Sequence, residues 1–216
     1  DPIQTYTHRI RVGGAVGEFY AWKILGVDEN GKWIIENVNG DVDEQGNPII
    51  DENDRQVVGN GIPKLFAALS SELTVGNFDV SVLLRGAFGH KVLNFLRMHY
   101  EYIDILANYN IPKTVMDQLD DFGQFVRDTP QYVDYFLEDG SYVKVDNITI
   151  GYNWRPSVPH VSNMRIYVAG NNLHVLTKYK GIDPEVPFTG LTPGYDDRDI
   201  YPTVRTYTIG VQISFN

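Results

Sequence analysis

TYTIGVQISFN, residues 206 to 216, alternates large apolar and small polar side chains up to the last residue. Tyr207, Ile209, Val211, Ile213 and Phe215 share one parity, and Thr206, Thr208, Gly210, Gln212 and Ser214 the other, so an extended chain places the two sets on opposite faces. A strand of about ten residues, apolar on one side and ending in an aromatic, suits the crossing of an outer-membrane β-barrel, with the apolar set facing lipid. The last strand of a soluble sandwich alternates in the same way. The choice rests on what precedes it.

Working back toward the N-terminus, Met164, Ile166 and Val168 alternate with Arg165, Tyr167 and Ala169 in a strand over residues 163–173. Pro156 and Pro159 mark a brief connection to a strand over 142–154, where Ile148, Ile150, Tyr152 and Trp154 share a parity. Val143 and Val145 lie on the opposite parity, and a bulge near Asp146 and Asn147 would restore the phase. Leu65, Ala67, Leu69, Leu73 and Val75 lead into Gly76-Asn77 and then into Phe78, Val80, Val82, Leu84 and Phe88, the pattern of a hairpin with a two-residue loop. Gly13-Gly14 is expected to turn a strand over 5–12 into one over 16–27. About seven strands result.

The connections fall into two kinds. Beside the short turns stand three long polar segments, residues 28–62, 89–140 and 177–202. Connections in compact soluble domains have a median of about 4 to 6 residues, whereas an outer-membrane barrel pairs short periplasmic turns with long extracellular loops. Counting strands backwards from a periplasmic C-terminus puts Gly13-Gly14, Gly76-Asn77 and 156–162 on one rim and all three long segments on the other. The barrel reading is favoured.

The middle long segment carries Val92, Leu93, Leu96, Tyr100, Ile103 and Leu106 at spacings of three and four, which predicts a helix over residues 90–109, ended at Pro112 and restarted over 113–122. Tyr100, Tyr102 and Tyr109 are amphipathic and suited to a partner-facing surface; packing against the barrel rim is the other reading.

Composition excludes several classes. A net charge of -10 leaves nothing to neutralise phosphates, so no nucleic-acid surface is expected. No cysteine is present, which removes disulfides and thiolate chemistry. The five histidines form no HExxH, and GxSxG, P-loop and GxGxxG are absent, so no enzyme is expected. His90 and His99 would share a face of the predicted helix in a solvated or packing role. Asp120-Asp121 and Asp196-Asp197 are pairs expected by chance in an acidic chain. Asp41, Asp43, Gln45 and Glu52 approximate an EF-hand calcium loop with Gln45 as the mismatch, but the flanks read as loop rather than as paired helices, which favours an ordinary solvated acidic segment without cofactor.

Three segments carry a resemblance: GSYVKVDNITIGYNW (140–154), RIYVAGNNLHVLTKYKGIDPEV (165–186) and DIYPTVRTYTIGVQISF (199–215). Upstream, GEFYAWKILGVDENGKW (17–33), VVGNGIPK (57–64) and GNFDVSVLLRGAFG (76–89) extend it over nearly the whole chain. In this order and spacing they resemble the C-terminal end of a SusC/RagA-type TonB-dependent outer-membrane transporter, the tract Tyr179 to Val186 being the most specific part. Arg85 stands where the family often has Gln, and Asn216 follows the aromatic that commonly ends the barrel.

The resemblance implies an all-β fold: the C-terminal antiparallel strands of a transmembrane barrel of about 22 strands, with long extracellular loops. Residues 1–216 would form one part of that barrel, the plug and N-terminal strands lying outside the chain. It implies import of oligosaccharides or peptides at the outer membrane of a Gram-negative, Bacteroidetes-like bacterium. The partners implied are the rest of the barrel and its plug, a SusD-like surface lipoprotein, TonB acting on the missing N-terminal region, and outer-membrane lipid. Arg165, Tyr167 and Asn171 would face the lumen or the plug. Two other classes share the strands: a soluble carbohydrate-binding β-sandwich stacking sugars on exposed Trp33, Tyr179 and Tyr195, and a structural outer-membrane barrel without a translocation path.

Overall fold

The computed structural model describes residues 3–197, 201 and 203–215. Asn216, Pro202 and residues 198–200 of the last long segment lie outside them. The chain divides into two compact units, each built from three separate stretches.

One unit, residues 64–88, 141–177 and 201–216, is a single antiparallel sheet. Its strands are β1 (Leu65–Val75), β2 (Phe78–Phe88), β3 (Tyr142–Trp154), β4 (Val161–Thr177) and β5 (Thr206–Phe215), arranged β5-β4-β3-β2-β1 so that sequence neighbours are spatial neighbours. β1 and β2 meet with Val75 opposite Phe78, leaving Gly76 and Asn77 as a two-residue loop. Gly76 has φ +61° while Asn77 stays negative. Positive φ at the first central position alone is the type II′ pattern, whose twist matches that of the strands it joins and which glycine adopts without a Cβ clash. β3 and β4 are joined through residues 155–160, the second short turn expected on this rim.

The register shifts between Val145 and Asn147 against both neighbouring strands, so the expected bulge is present. It brings Val145 opposite Leu84 and Ile148 opposite Val82, so residues of opposite sequence parity share one face.

The other unit, residues 1–63, 89–140 and 178–200, holds short strands, short helices and two apolar clusters. In the larger, Phe19, Ala21, Leu93 and Val133 are fully buried around Trp33, Met98, Tyr132 and Phe136. Trp33 meets Phe122 and Phe136 edge-on, with centroids 5.7 and 6.1 Å away. Each such side chain removed from water contributes about 1.5–3 kcal/mol. Arg97 is held by Glu101 at 2.5 and 2.7 Å and by Glu138 at 2.7 Å, so its buried charge is compensated.

Three local expectations change. The stretches 5–12 and 16–27 are not long membrane hairpin strands. They form short pieces, Arg9–Ile10, Glu18–Ala21 and Ile24–Val27, in the second unit, so five long strands share the sheet rather than seven. Gly13-Gly14 does turn the chain, with Gly14 N–H donating to Arg11 O, but not between barrel strands. Pieces of four residues or fewer are too short to cross a bilayer, and Phe19 and Ala21 supply the core instead. Nor is 90–109 one helix. Lys91–Asn94 is a strand between Leu137–Asp139 and Tyr195–Asp196, and α1 runs only over Phe95–Tyr100, started by Asn94 whose side chain accepts from Arg97 N–H at 3.1 Å. Val92 and Leu93 fit a helical stripe in sequence, yet both are buried in a paired strand; His90 precedes that strand while His99 lies on α1. The restart over 113–122 is present as a 3₁₀ turn, Lys113–Met116, running into α2, Asp117–Phe122.

Candidate functional site

Register gives the five-stranded sheet two unlike faces, because directly opposed residues share a face. One face is apolar in consecutive rows: Val75, Phe78, Tyr152, Ile166 and Val211, then Leu73, Val80, Ile150, Val168 and Ile209. Tyr207, Ile209, Val211, Ile213 and Phe215 of β5 all lie on it, opposite Gly170, Val168, Ile166, Met164 and Val161. These side chains are exposed, Ile209 at 79%. The sheet thus shows solvent the side chains that a soluble sheet would cover.

The other face is polar and bonded within itself. Arg165 on β4 reaches Asp79 on β2 with Nε 3.0 Å from Oδ1 and Nη2 2.5 Å from Oδ2, a two-pronged pair. Asn153 on β3 donates to the same Oδ1 at 2.6 Å, and the Arg165 guanidinium lies 5.0 Å from the Tyr167 ring centre. The pair passes over Gly151, where a Cβ would sit 2.6 Å from Arg165 Nε and from both Asp79 oxygens. Asn171 accepts from Asn147 Nδ2 at 2.8 Å, and Thr149 donates to Asn147 Oδ1 at 3.1 Å. At the bulge Arg85 pairs with Asp146 at 2.9 Å.

Arg165, Tyr167 and Asn171 therefore share one face, and the structure adds Asp79 and Asn153, which residue type alone did not single out. Their signal was parity: Asp79 is the only acidic residue of FDVSVLLRGAF and falls on its polar side.

The remaining candidates are dispersed in the second unit. Tyr100 and Tyr102 are half-buried and Tyr109 is exposed. Asp41, Asp43, Gln45 and Glu52 do not converge: Asp43 accepts from the backbone N–H groups of Gln45 and Asn47, Asp41 from Asn39 Nδ2, and Glu52 pairs with Arg55. Among the described residues no group of three or more His, Asp or Glu side chains is placed to hold a metal ion. Trp33 and Tyr179 are buried and Tyr195 packs on the core, so the sugar-stacking aromatics of the sandwich alternative are not on offer. His8 is buried between Thr7 Oγ1 at 2.7 Å and Pro193 O at 2.9 Å, and burial lowers its pKa to about 4. Asp134 and Asp196 are raised by burial.

No family model matches the chain. Among curated proteins it is 29% identical over 222 residues to the TonB-dependent receptor SusC of Bacteroides thetaiotaomicron, covering 95% of this chain and 20% of that one. It is 28% identical over 238 residues to the TonB-dependent receptor P3 of Formosa agariphila, covering 99% of this chain and 23% of that one. The chain is similar in sequence to TonB-dependent receptors. Its fold matches a chain of the RagAB peptide importer in the closed-closed state, with a TM-score of 0.74 at 22% identity over 93% of this chain and 23% of that one. The chain spans between 20% and 23% of the length of the two curated relatives. TonB-dependent receptors are outer-membrane proteins, and the exposed apolar rows of this sheet have the chemistry of such a surface. The relatives are named as receptors and the structural neighbour as a peptide importer.

Proposed function

We propose that this chain is part of the barrel wall of a SusC/RagA-type outer-membrane importer that takes up oligosaccharides or peptides together with a SusD-like surface lipoprotein. The observation that carries the reading is the inversion in β4: Ile166 and Val168 are 43% and 49% exposed, while the charged side chain of Arg165, next to Ile166 and on the opposite face, is only 25% exposed. In water this arrangement leaves apolar area unburied; against lipid it is favourable, because hydrocarbon takes the apolar side chains and the polar ones bond among themselves.

On this reading the apolar rows face lipid and the Asp79–Arg165 face looks into the lumen or onto a plug. The short turns at Gly76-Asn77 and 155–160 mark the periplasmic rim, and β5 is the closing strand. β1 and β5 are the sheet edges. Each needs a further strand, since an unpaired backbone group in hydrocarbon costs several kcal/mol. The relatives' names support TonB-driven nutrient import in a Bacteroidetes-like bacterium, and RagAB is named as a peptide importer.

The test is purification of the native polypeptide from its host. Recovery from the outer membrane in detergent, with a co-purifying surface lipoprotein and uptake of an oligosaccharide or peptide that stops when the gene is deleted, is the expected result. A detergent-free soluble monomer would overturn it.

A further inference from the structure

In the unit formed by residues 1–63, 89–140 and 178–200, an open cavity of about 380 Å³ is lined by Ile24, Asp121, Phe122, Asp134 and Tyr135. Its floor is aromatic. Phe122 and Tyr135 lie 5.1 Å apart, and Trp33 packs behind both at 5.7 and 5.6 Å.

Two carboxylates stand at this floor, each held in place and each with one oxygen engaged. Asp134 Oδ1 accepts from Ile24 N–H at 2.9 Å, and Asp121 Oδ2 accepts from the Tyr135 hydroxyl at 2.9 Å. The second oxygen of each is left for an incoming donor.

Charge balance around the cavity is negative. Arg97 lies 5.3 Å from the centre of Tyr135, but its charge is answered by Glu101 and Glu138. Lys23 and Lys91 are the cations that act on Asp134, and Lys23 is paired with Glu36 at 3.1 Å. Burial raises the Asp134 carboxyl, the condition of an anion that lacks a close counter-charge.

We propose that this cavity binds the ammonium or guanidinium end of a lysine or arginine side chain on a polypeptide. The alkyl stem would lie against Ile24 and Phe122, and the cation would sit between Asp121 and Asp134 over aromatic faces. Aromatic faces attract cations and carboxylates accept their N–H donors, whereas an anionic group would meet two like charges. A neutral sugar would find only two acceptors. The inference concerns binding alone and does not require the import reading.

The test uses the full-length protein in detergent and short peptides blocked at both ends, so that the side chain carries the only cation. Lysine and arginine peptides are compared with norleucine and citrulline peptides by calorimetry at low and high salt. The expected result is at least tenfold tighter binding of the cationic pair, narrowing as salt rises. Asp121→Asn with Asp134→Asn keeps an acceptor at both positions and should abolish that preference. Equal binding of charged and neutral peptides by the parent protein overturns the proposal without any variant. Survival of the preference in the double variant overturns it too, because the cation is then held elsewhere.

Discussion

Asp79 and Arg165 join two strands that are not hydrogen-bonded to each other. β3 lies between β2 and β4, and the pair spans it above Gly151. It therefore ties the stagger of three strands, with Asn153 of the middle strand bonded to the same carboxylate. Arg165→Ala leaves Asp79, a quarter exposed in the intact pair, without its cation, at an expected cost of about 1.5–3 kcal/mol. The check is a double-substitution cycle with Asp79→Ala, read as the temperature at which the full-length barrel loses its resistance to SDS. Strictly additive losses would show that the two side chains do not act together.

Gly151 is explained by the same pair. Its Cβ position is occupied by the guanidinium and the carboxylate, so Gly151→Val is expected to cost about 1–3 kcal/mol through steric displacement. In an Asp79→Ala, Arg165→Ala background the space is open, and valine, a good strand residue, should be tolerated. An equal loss in both backgrounds would place the cause in the backbone rather than in the bridge.

His8 gives the second unit a dependence on acid. Its folded pKa of about 4 is below the unfolded value near 6.5, so above pH 6.5 it is neutral in both states. As pH falls from 6.5 to 4 the unfolded chain binds a proton that the folded one refuses, and stability on the order of 3 kcal/mol is lost. His90, also lowered by burial, acts in the same direction, while Asp134 and Asp196, raised by burial, oppose it. His8→Gln isolates the contribution, since glutamine keeps a donor for Pro193 O. Hydrogen exchange at Tyr20 N–H, which is bonded to Thr7 O at 2.9 Å, should accelerate between pH 6.5 and 4 more in the parent than in the variant, after correction for intrinsic rates. Identical profiles would remove His8 as the cause.

The legible part of the molecule was the part with a period. Strands β1 to β5 alternate strictly enough for faces, turns and even the Asp146 bulge to be read from the sequence, because a two-residue repeat fixes a face at every step. The second unit has no such repeat. Phe19, Leu93 and Phe136 come from stretches far apart in the chain, and nothing local marks them as one core. The stretch from His90 to Tyr109 is ambiguous for a related reason: Val92 and Leu93 suit a buried strand as well as a helical stripe, and only pairing with Leu137–Asp139 separates the two. Gly13-Gly14 turns the chain as its residue types imply, but between short pieces rather than long strands, since a turn dipeptide carries no information about strand length. The polar cluster was half-visible. Arg165 and Tyr167 stood out by type, whereas Asp79 becomes a partner only when the register aligns it with Gly151.

The lipid assignment of β5 makes a demanding prediction, because neighbouring residues should respond oppositely to the same substitution. Ile209 faces the apolar rows opposite Val168, and Thr208 faces the polar side opposite Ala169. In an assembled barrel, Ile209→Arg places a charge in hydrocarbon at an expected cost of about 2–4 kcal/mol if the residue lies near the bilayer midplane, and less toward either rim. Thr208→Arg points away from lipid and should cost little. Outer-membrane fractions of cells expressing the full-length variants would show SDS-resistant barrel reduced for Ile209→Arg and near parent level for Thr208→Arg. If the effects were reversed, the polar face would be the one against lipid; if equal, the strand would be covered on both sides. In either case the exposed apolar face of this sheet would need a cover other than lipid.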